Sequence, residues 1–215
     1  MAECYLIKGQ IDKSLQNYGK IVQPPYHGQA LLGTARSYYF LKQWDQCQQT
    51  IQTILQSQGV TSLVTNDALA LQIQLGYSQE VPEILGKLSE GELLIVQRKK
   101  SESLKKFKDI NEMKSVPAAI KAEVYLRLSR LSLELEEPLS ALEYCNQAVQ
   151  DPLIQPYADE HLYLLAGILE RSVNRPQEAF SAYKQLLETY PNSLLADAAR
   201  ERMKYLREQP NFQIP

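Results

Sequence analysis

Glycine is scarce in this sequence, nine among 215 residues, and no glycine-rich turn of the kind that cradles a phosphate is present. Histidine is scarcer, with only His27 and His161, and neither has a second ligand-type residue at metal spacing. The three cysteines, Cys4, Cys47 and Cys145, are far apart and form no CxxC pair, so they read as reduced, buried thiols and no structural metal is expected. No GxSxG, HExxH or P-loop occurs. The paired carboxylates Glu136–Glu137 and Asp159–Glu160 stand where helices begin, a position that favours acids without any catalytic role. No enzyme activity, cofactor or small-molecule substrate is therefore expected.

Other shortages narrow the class further. No apolar run approaches the ~20 residues of a membrane span. The start, MAECYLIKGQID, lacks a basic stretch followed by an apolar one, so no signal peptide is expected and the compartment, cytoplasmic or periplasmic, stays open. Lys and Arg number 23 against 25 Asp and Glu, which argues against a protein that lives on phosphate contacts. Val, Ile and Thr are not enriched over Leu, Ala, Gln, Glu and Lys, and this balance favours helices.

What is present is a repeat. Ser103, Ala141 and Ala179 lie 38 residues apart, and four residues past each stands Phe107, Cys145 or Tyr183. Twelve residues before each stands another small residue, Gly91, Ser129 or Gly167. Small residues let two helices approach, and large ones one turn on fill the space beside the contact. Pro138 and Pro176 keep the same 38-residue phase at the first turn of a helix, and Pro82, Pro117 and Pro156 are placed at the start of the other helix of each pair. The pattern predicts an array of helical hairpins.

These residues resemble the tetratricopeptide repeat (TPR) family. The unit from Glu160 to Ser193 carries the likeness through Tyr163, Gly167, Ala179, Tyr183 and Pro191, and departs from it where Glu170 replaces an aromatic residue. The unit from Ala122 carries it through Tyr125, Leu128, Ala141 and Ala148, and the N-terminal unit through Leu31, Ala35, Tyr38, Trp44 and Cys47. The segment before that reads as a second helix whose first helix is cut short at Met1, as in a fragment of a longer array. The resemblance implies an all-α, right-handed α-solenoid of antiparallel hairpins. Its expected organisation is TPR-like hairpins over 1–60, an irregular junction over 61–82, three units of 38-residue period over 83–193, a capping helix over 194–208 and a tail over 209–215. The segment YPNSLLADAARERMKYLRE is also similar to the ends of bacterial envelope TPR proteins of the outer-membrane assembly lipoprotein and Tol-Pal-associated types. Leu194, Leu195, Ala198, Ala199, Met203 and Leu206 give it one apolar side, with Asn192 or Ser193 as helix cap.

The resemblance further implies a scaffold whose first helices line a groove for a partner protein's peptide or helix. The transferred groove slots are Gln29, Leu32, Arg36 and Tyr39, then Glu123, Leu126, Arg130 and Leu133, then His161, Leu164, Ile168 and Arg171. The arginines offer planar, charge-assisted bonds to carboxylates. Two other functions compete: a self-associating structural component of an envelope assembly, and a nucleic-acid binder using the basic run Arg98, Lys99, Lys100, Lys105, Lys106 and Lys108. The repeat phase places Ser103, Leu104, Phe107 and Ile110 on the buried side of that run, so the lysines read as its solvated back, and nucleic acid ranks last.

Overall fold

The computed structural model describes residues 1–57, 61–209 and 212–213, with only the backbone considered at Ser62. Among the described residues the chain is all-α, a series of antiparallel helical hairpins with no strand. It divides into two compact units, Met1–Ile110 and Asn111–Pro215. The first is built from α1 (Ala2–Ile7), α2 (Ile11–Tyr18), α3 (His27–Phe40), α4 (Trp44–Gln56), α5 (Ser62–Leu75), α6 (Pro82–Val96) and α7 (Lys100–Asn111), the last of which ends one residue past the boundary. The second holds α8 (Ala118–Glu134), α9 (Pro138–Gln150), a 3-10 helix (Pro152–Tyr157), α10 (Asp159–Arg171), α11 (Pro176–Thr189) and α12 (Ala196–Arg207).

The repeat visible in the sequence is the frame of these hairpins. Five second helices carry Ser14, Cys47, Ser103, Ala141 and Ala179, and all five are fully buried. Ser103 Oγ donates to the Gly91 carbonyl oxygen at 2.8 Å, and Ser14 Oγ donates to that of Ala2, also twelve residues earlier, at 2.9 Å. A Cβ added to Gly91 would stand 2.9 Å from the Phe107 ring, so only glycine lets that ring reach the helix backbone. Gly33 plays the same part against the Tyr18 ring, at 2.3 Å. Gly167 does not: its added Cβ would meet Arg171 of its own helix at 2.5 Å, rather than the neighbouring helix that the repeat phase implied.

A second periodic device is invisible in residue type. Each of the five hairpins turns on one residue with positive φ: Gly9, Lys42, Arg98, Glu136 and Asn174. Each stands five residues before the buried small residue of its second helix. In the first four, the next residue's N–H donates five residues back, as Glu137 does to the Ser132 oxygen at 2.8 Å, which closes the end of the first helix.

Proline and cap positions are partly as the spacing predicts. Pro82, Pro138 and Pro176 occupy first turns. Pro156 instead lies inside the 3-10 helix, three residues before α10, because the inserted segment Pro152–Tyr157 must end before that helix starts. In α12, Ala199, Met203 and Leu206 pack inward while Leu194 is fully exposed, since the helix begins only at Ala196. Ser193 caps a turn and not the helix: its Oγ accepts from the Leu195 N–H at 3.1 Å and donates to Asp159 at 2.6 Å. Cys47 and Cys145 are buried as expected, whereas Cys4 is exposed on the outer side of α1. Burial pushes the Cys47 thiol up to about 12 and the Cys145 thiol up to about 11.

Residues 61–82, expected as an irregular junction with one helix near Asn66–Gly76, contain α5, whose Val64, Ala68, Leu71 and Leu75 are buried. Ala68 continues the 33-residue step from Ala2 and Ala35, so α5 occupies a first-helix place. The residue twelve positions on, Glu80, lies in a turn, and α5 therefore has no second helix of its own. After that turn α6 packs back against α3 and α1. Lys42 Nζ reaches Glu90 of α6 at 2.6 Å, and Lys106 joins the same carboxylate at 2.8 Å.

Candidate partner-binding groove

The return of α6 closes one side of the first unit around a cavity of about 570 Å³. Its apolar walls are Leu6 and Ile7 of α1, Leu32 and Phe40 of α3, Leu63 and Val64 of α5, and Ile95 and Val96 of α6. Tyr18 contributes its ring from α2, held there by the bare backbone of Gly33. Glu3, Gln29, Arg36, Asp67 and Arg98 complete the lining with polar groups. Arg36 pairs with Asp67 across α3 and α5 at 2.9 Å, with about half of each side chain exposed. Burial, and then the charge of Glu3, hold the Tyr18 phenol above its usual range against the opposing pull of Arg36.

Of the four N-terminal slots, this cavity brings together Gln29, Leu32 and Arg36, while Tyr39 is buried in the core beside Trp44. In the second unit, Leu126, His161 and Ile168 are buried rather than open to a groove. His161 is fully enclosed, with Nδ1 3.1 Å from the Tyr157 carbonyl oxygen and Nε2 3.0 Å from that of Ala122. Leu133 and Leu164 are half-buried against the unit's core. The charged slots are occupied from within: Arg130 pairs with Glu160, and Glu123 with Arg127 at 2.7 Å. Arg171 is exposed and sends its guanidinium back over Gly167.

The basic run follows the repeat phase. Ser103, Leu104, Phe107 and Ile110 are buried and Lys99, Lys105 and Lys108 are exposed. Lys106 is held by Glu90, and Lys99 stands 3.9 Å from Glu102. Lys100 lies on α7 at the same end. Arg98 belongs to the groove as much as to this run, a link that its place in the α6–α7 turn creates.

Sequence reasoning missed the contributions of α1, α5 and α6. Their signal was the 33-residue step from Ala35 to Ala68, which marks α5 as a repeat helix; nothing comparable announces the return of α6.

The arrangement offers apolar contact with charge at the rim. No helix among the described residues is long and apolar enough to cross a membrane, and no three metal-ligating side chains converge among them.

Comparison with known proteins bears on the repeats themselves. No curated protein matches the chain. Among solved structures, the chain is similar to MamA at 14% identity, over 89% of this chain and 95% of that one, with a TM-score of 0.45. It is similar to PilF of Pseudomonas aeruginosa at 14% identity, over 95% and 88%, with a TM-score of 0.41. Against the Cut9–Hcn1 hetero-tetramer of the APC/C the identity is 16% over 93% of this chain and 40% of that one, with a TM-score of 0.49. The family model described as tetratricopeptide repeat matches residues 29–58 and 162–193, the α3–α4 and α10–α11 hairpins.

Proposed function

We propose that this protein is a non-enzymatic protein–protein interaction scaffold, and that the cavity of its first unit holds an apolar segment of a partner protein. One observation carries the reading: four separate helices of that unit direct apolar side chains into one open cavity and leave Arg36, Asp67, Glu3 and Arg98 at its edge. Such a site holds a segment by burying its apolar side chains and fixes its register through charge at the rim. The helical-repeat architecture and the two matched repeats support a scaffold role. The further expectation of an envelope assembly rests on the C-terminal segment, where α12 supports a cap: its inner side is packed and its outer side is charged.

The test uses the full chain with a photo-reactive residue at Ile7, at Arg98 or, as control, at Lys184 on α11. Irradiation in native extract should attach the same protein from Ile7 and Arg98 and not from Lys184. Attachment from Lys184 alone, or equally from all three, overturns the groove as the working surface. The variant Arg130→Glu/Arg171→Glu, which changes the second unit's slots, should leave the attachment intact.

A further inference from the structure

The second unit has a pocket of its own, about 570 Å³, set between the end of α10, the start of α11 and α12. Its polar lining is rich in donors, with Arg171, Asn174, Arg202 and Gln209 against a single acid, Glu170. That acid is already taken, by Arg202 and by the Tyr183 hydroxyl at 3.2 Å. The arginines of this unit are otherwise matched: Arg127 with Glu123, Arg130 with Glu160, Arg175 with Glu178 and Arg200 with Asp197. Only Arg171 and Arg207 have no carboxylate partner among the described residues, and both stand at this pocket. Arg171 lines it, and Arg207 lies 5.1 Å over the Phe180 ring beside it.

The apolar side of the pocket is already entered by an aromatic ring. Past α12 the chain turns back, with the Phe212 N–H donating to the Gln209 carbonyl oxygen at 3.1 Å. The half-buried Phe212 ring then sets itself 5.3 Å from Phe180, against the core of the unit. This occupant brings a ring without a charge, since its neighbours in sequence are Asn211 and Gln213. Both guanidiniums are thus left without an anion. A ring beside a carboxylate would satisfy both halves of the site, through buried aromatic area and through charge-assisted bonds from a planar donor. We propose that this pocket binds a partner protein's segment in which a carboxylate side chain stands next to an aromatic one, and that Phe212 holds the aromatic place until that segment displaces it.

The proposal is independent of the groove in the first unit. Its test is NMR of the full chain with ring-13C phenylalanine, which reports four residues, Phe40, Phe107, Phe180 and Phe212. Phe212→Leu identifies the Phe212 signals. On addition of acetyl-Asp-Phe-amide the Phe212 and Phe180 signals should shift together, Phe212 toward its position in the unfolded chain, while Phe107 stays. Acetyl-Asn-Phe-amide should need roughly tenfold more for the same shift, for want of the charge. Arg171→Gln, at an exposed position and checked for unchanged helicity, should erase that ratio. Phe212→Ala should bind the aspartyl probe several-fold more tightly, read from Phe180, because no ring has to leave. Equal potency of the two probes on wild type, a Phe212 signal that does not move, or weaker binding by Phe212→Ala overturns the proposal. So does a response confined to Phe40, which lines the groove of the first unit.

Discussion

Glu170 of α10 and Arg202 of α12 form a two-pronged ion pair. Arg202 Nε is 3.2 Å from one carboxylate oxygen, and a guanidinium nitrogen is on the other. Tyr183 of α11 donates to the same group at 3.2 Å, so one carboxylate ties three consecutive helices together. This explains why an acid stands where the repeat pattern favours an aromatic residue. Its side chain is only 7% exposed, and removing one partner leaves the other nearly dry. Arg202→Ala should therefore cost about 1–3 kcal/mol, and Glu170→Leu/Arg202→Met should cost less than Arg202→Ala alone. Denaturant unfolding of the three proteins, with amide exchange in α12, decides it; equal losses would show that the pair adds nothing specific.

Three glycines at similar helix positions should respond in opposite directions. Gly33→Ala and Gly91→Ala push a Cβ into the Tyr18 and Phe107 rings, so each should lose about 1–3 kcal/mol despite the better helix propensity of alanine. Gly167→Ala meets only the flexible far end of the Arg171 side chain, which can shift, so it should gain up to about 1 kcal/mol. Thermal melts of all three variants give the signs directly.

The left-handed turn residues supply another sign test. Glu136 holds a φ of 62° in the α8–α9 turn. A side chain strains that conformation and glycine does not, so Glu136→Gly should stabilise the protein by roughly 0.5–1 kcal/mol even though it loosens the unfolded chain. Gly9→Ala, the same change reversed in the first hairpin, should destabilise by a comparable amount. A loss on Glu136→Gly would show that the side chain itself anchors the turn.

His161 should make the second unit sensitive to mild acid. Burial holds its pKa below the usual 6.5, and the carbonyls of Ala122 and Tyr157 and the charges of Glu160 and Glu123 only partly counter it. The unfolded chain takes up a proton near pH 6.5 and the folded chain only lower, so stability is present above that pH and lost as pH falls toward the folded value. Urea midpoints from pH 8 to 5 should fall for wild type and fall less for His161→Phe, measured on the same scale. Matching slopes for the two proteins would remove His161 from the account.

Asp151 and Lys121 should act at lower and higher pH, respectively. They pair at 2.6 Å, with 24% and 14% of each side chain exposed. The hydrogen bond to Asp151 raises the Lys121 pKa, and at Asp151 the pull of burial upward is outweighed by Lys121 and the Leu153 N–H. A depressed carboxylate stabilises above its unfolded pKa and loses that as pH falls; a raised lysine stabilises below its unfolded pKa and loses that as pH rises. Asp151→Asn should therefore lower the melting temperature near neutrality and narrow its gap from wild type in acid.

The fold was legible where one residue type does one job. Ser103, Ala141 and Ala179 had to be small, Phe107 and Tyr183 had to be large, and counting between them located the hairpins. The turns were not legible, because Lys42, Arg98 and Glu136 take up the left-handed conformation under tertiary constraint while only Gly9 and Asn174 advertise it. The groove was legible along α3, since Gln29, Leu32 and Arg36 share a helix whose phase was known. It was illegible across α6, whose return depends on a packing choice that no local pattern encodes. In the second unit the slots at Leu126, His161 and Ile168 lie inside the packing, a depth that helix phase alone does not encode.

The return of α6 also sets the order in which the chain can assemble. A Cβ on Gly9 would touch Gln97 at 3.3 Å, and Lys42 bonds to Glu90, so the first unit is closed by partners from opposite ends of its sequence. In the second unit the hairpins α8–α9 and α10–α11 pack neighbour on neighbour. Closing a long loop delays a contact far more than zipping adjacent helices does. During synthesis α1 to α5 emerge with their groove walls exposed and wait for α6, while the second unit follows and can form hairpin by hairpin. Closure by α6 is thus the late step of the first unit, and until it is made the apolar walls of the groove are the surfaces open to premature association.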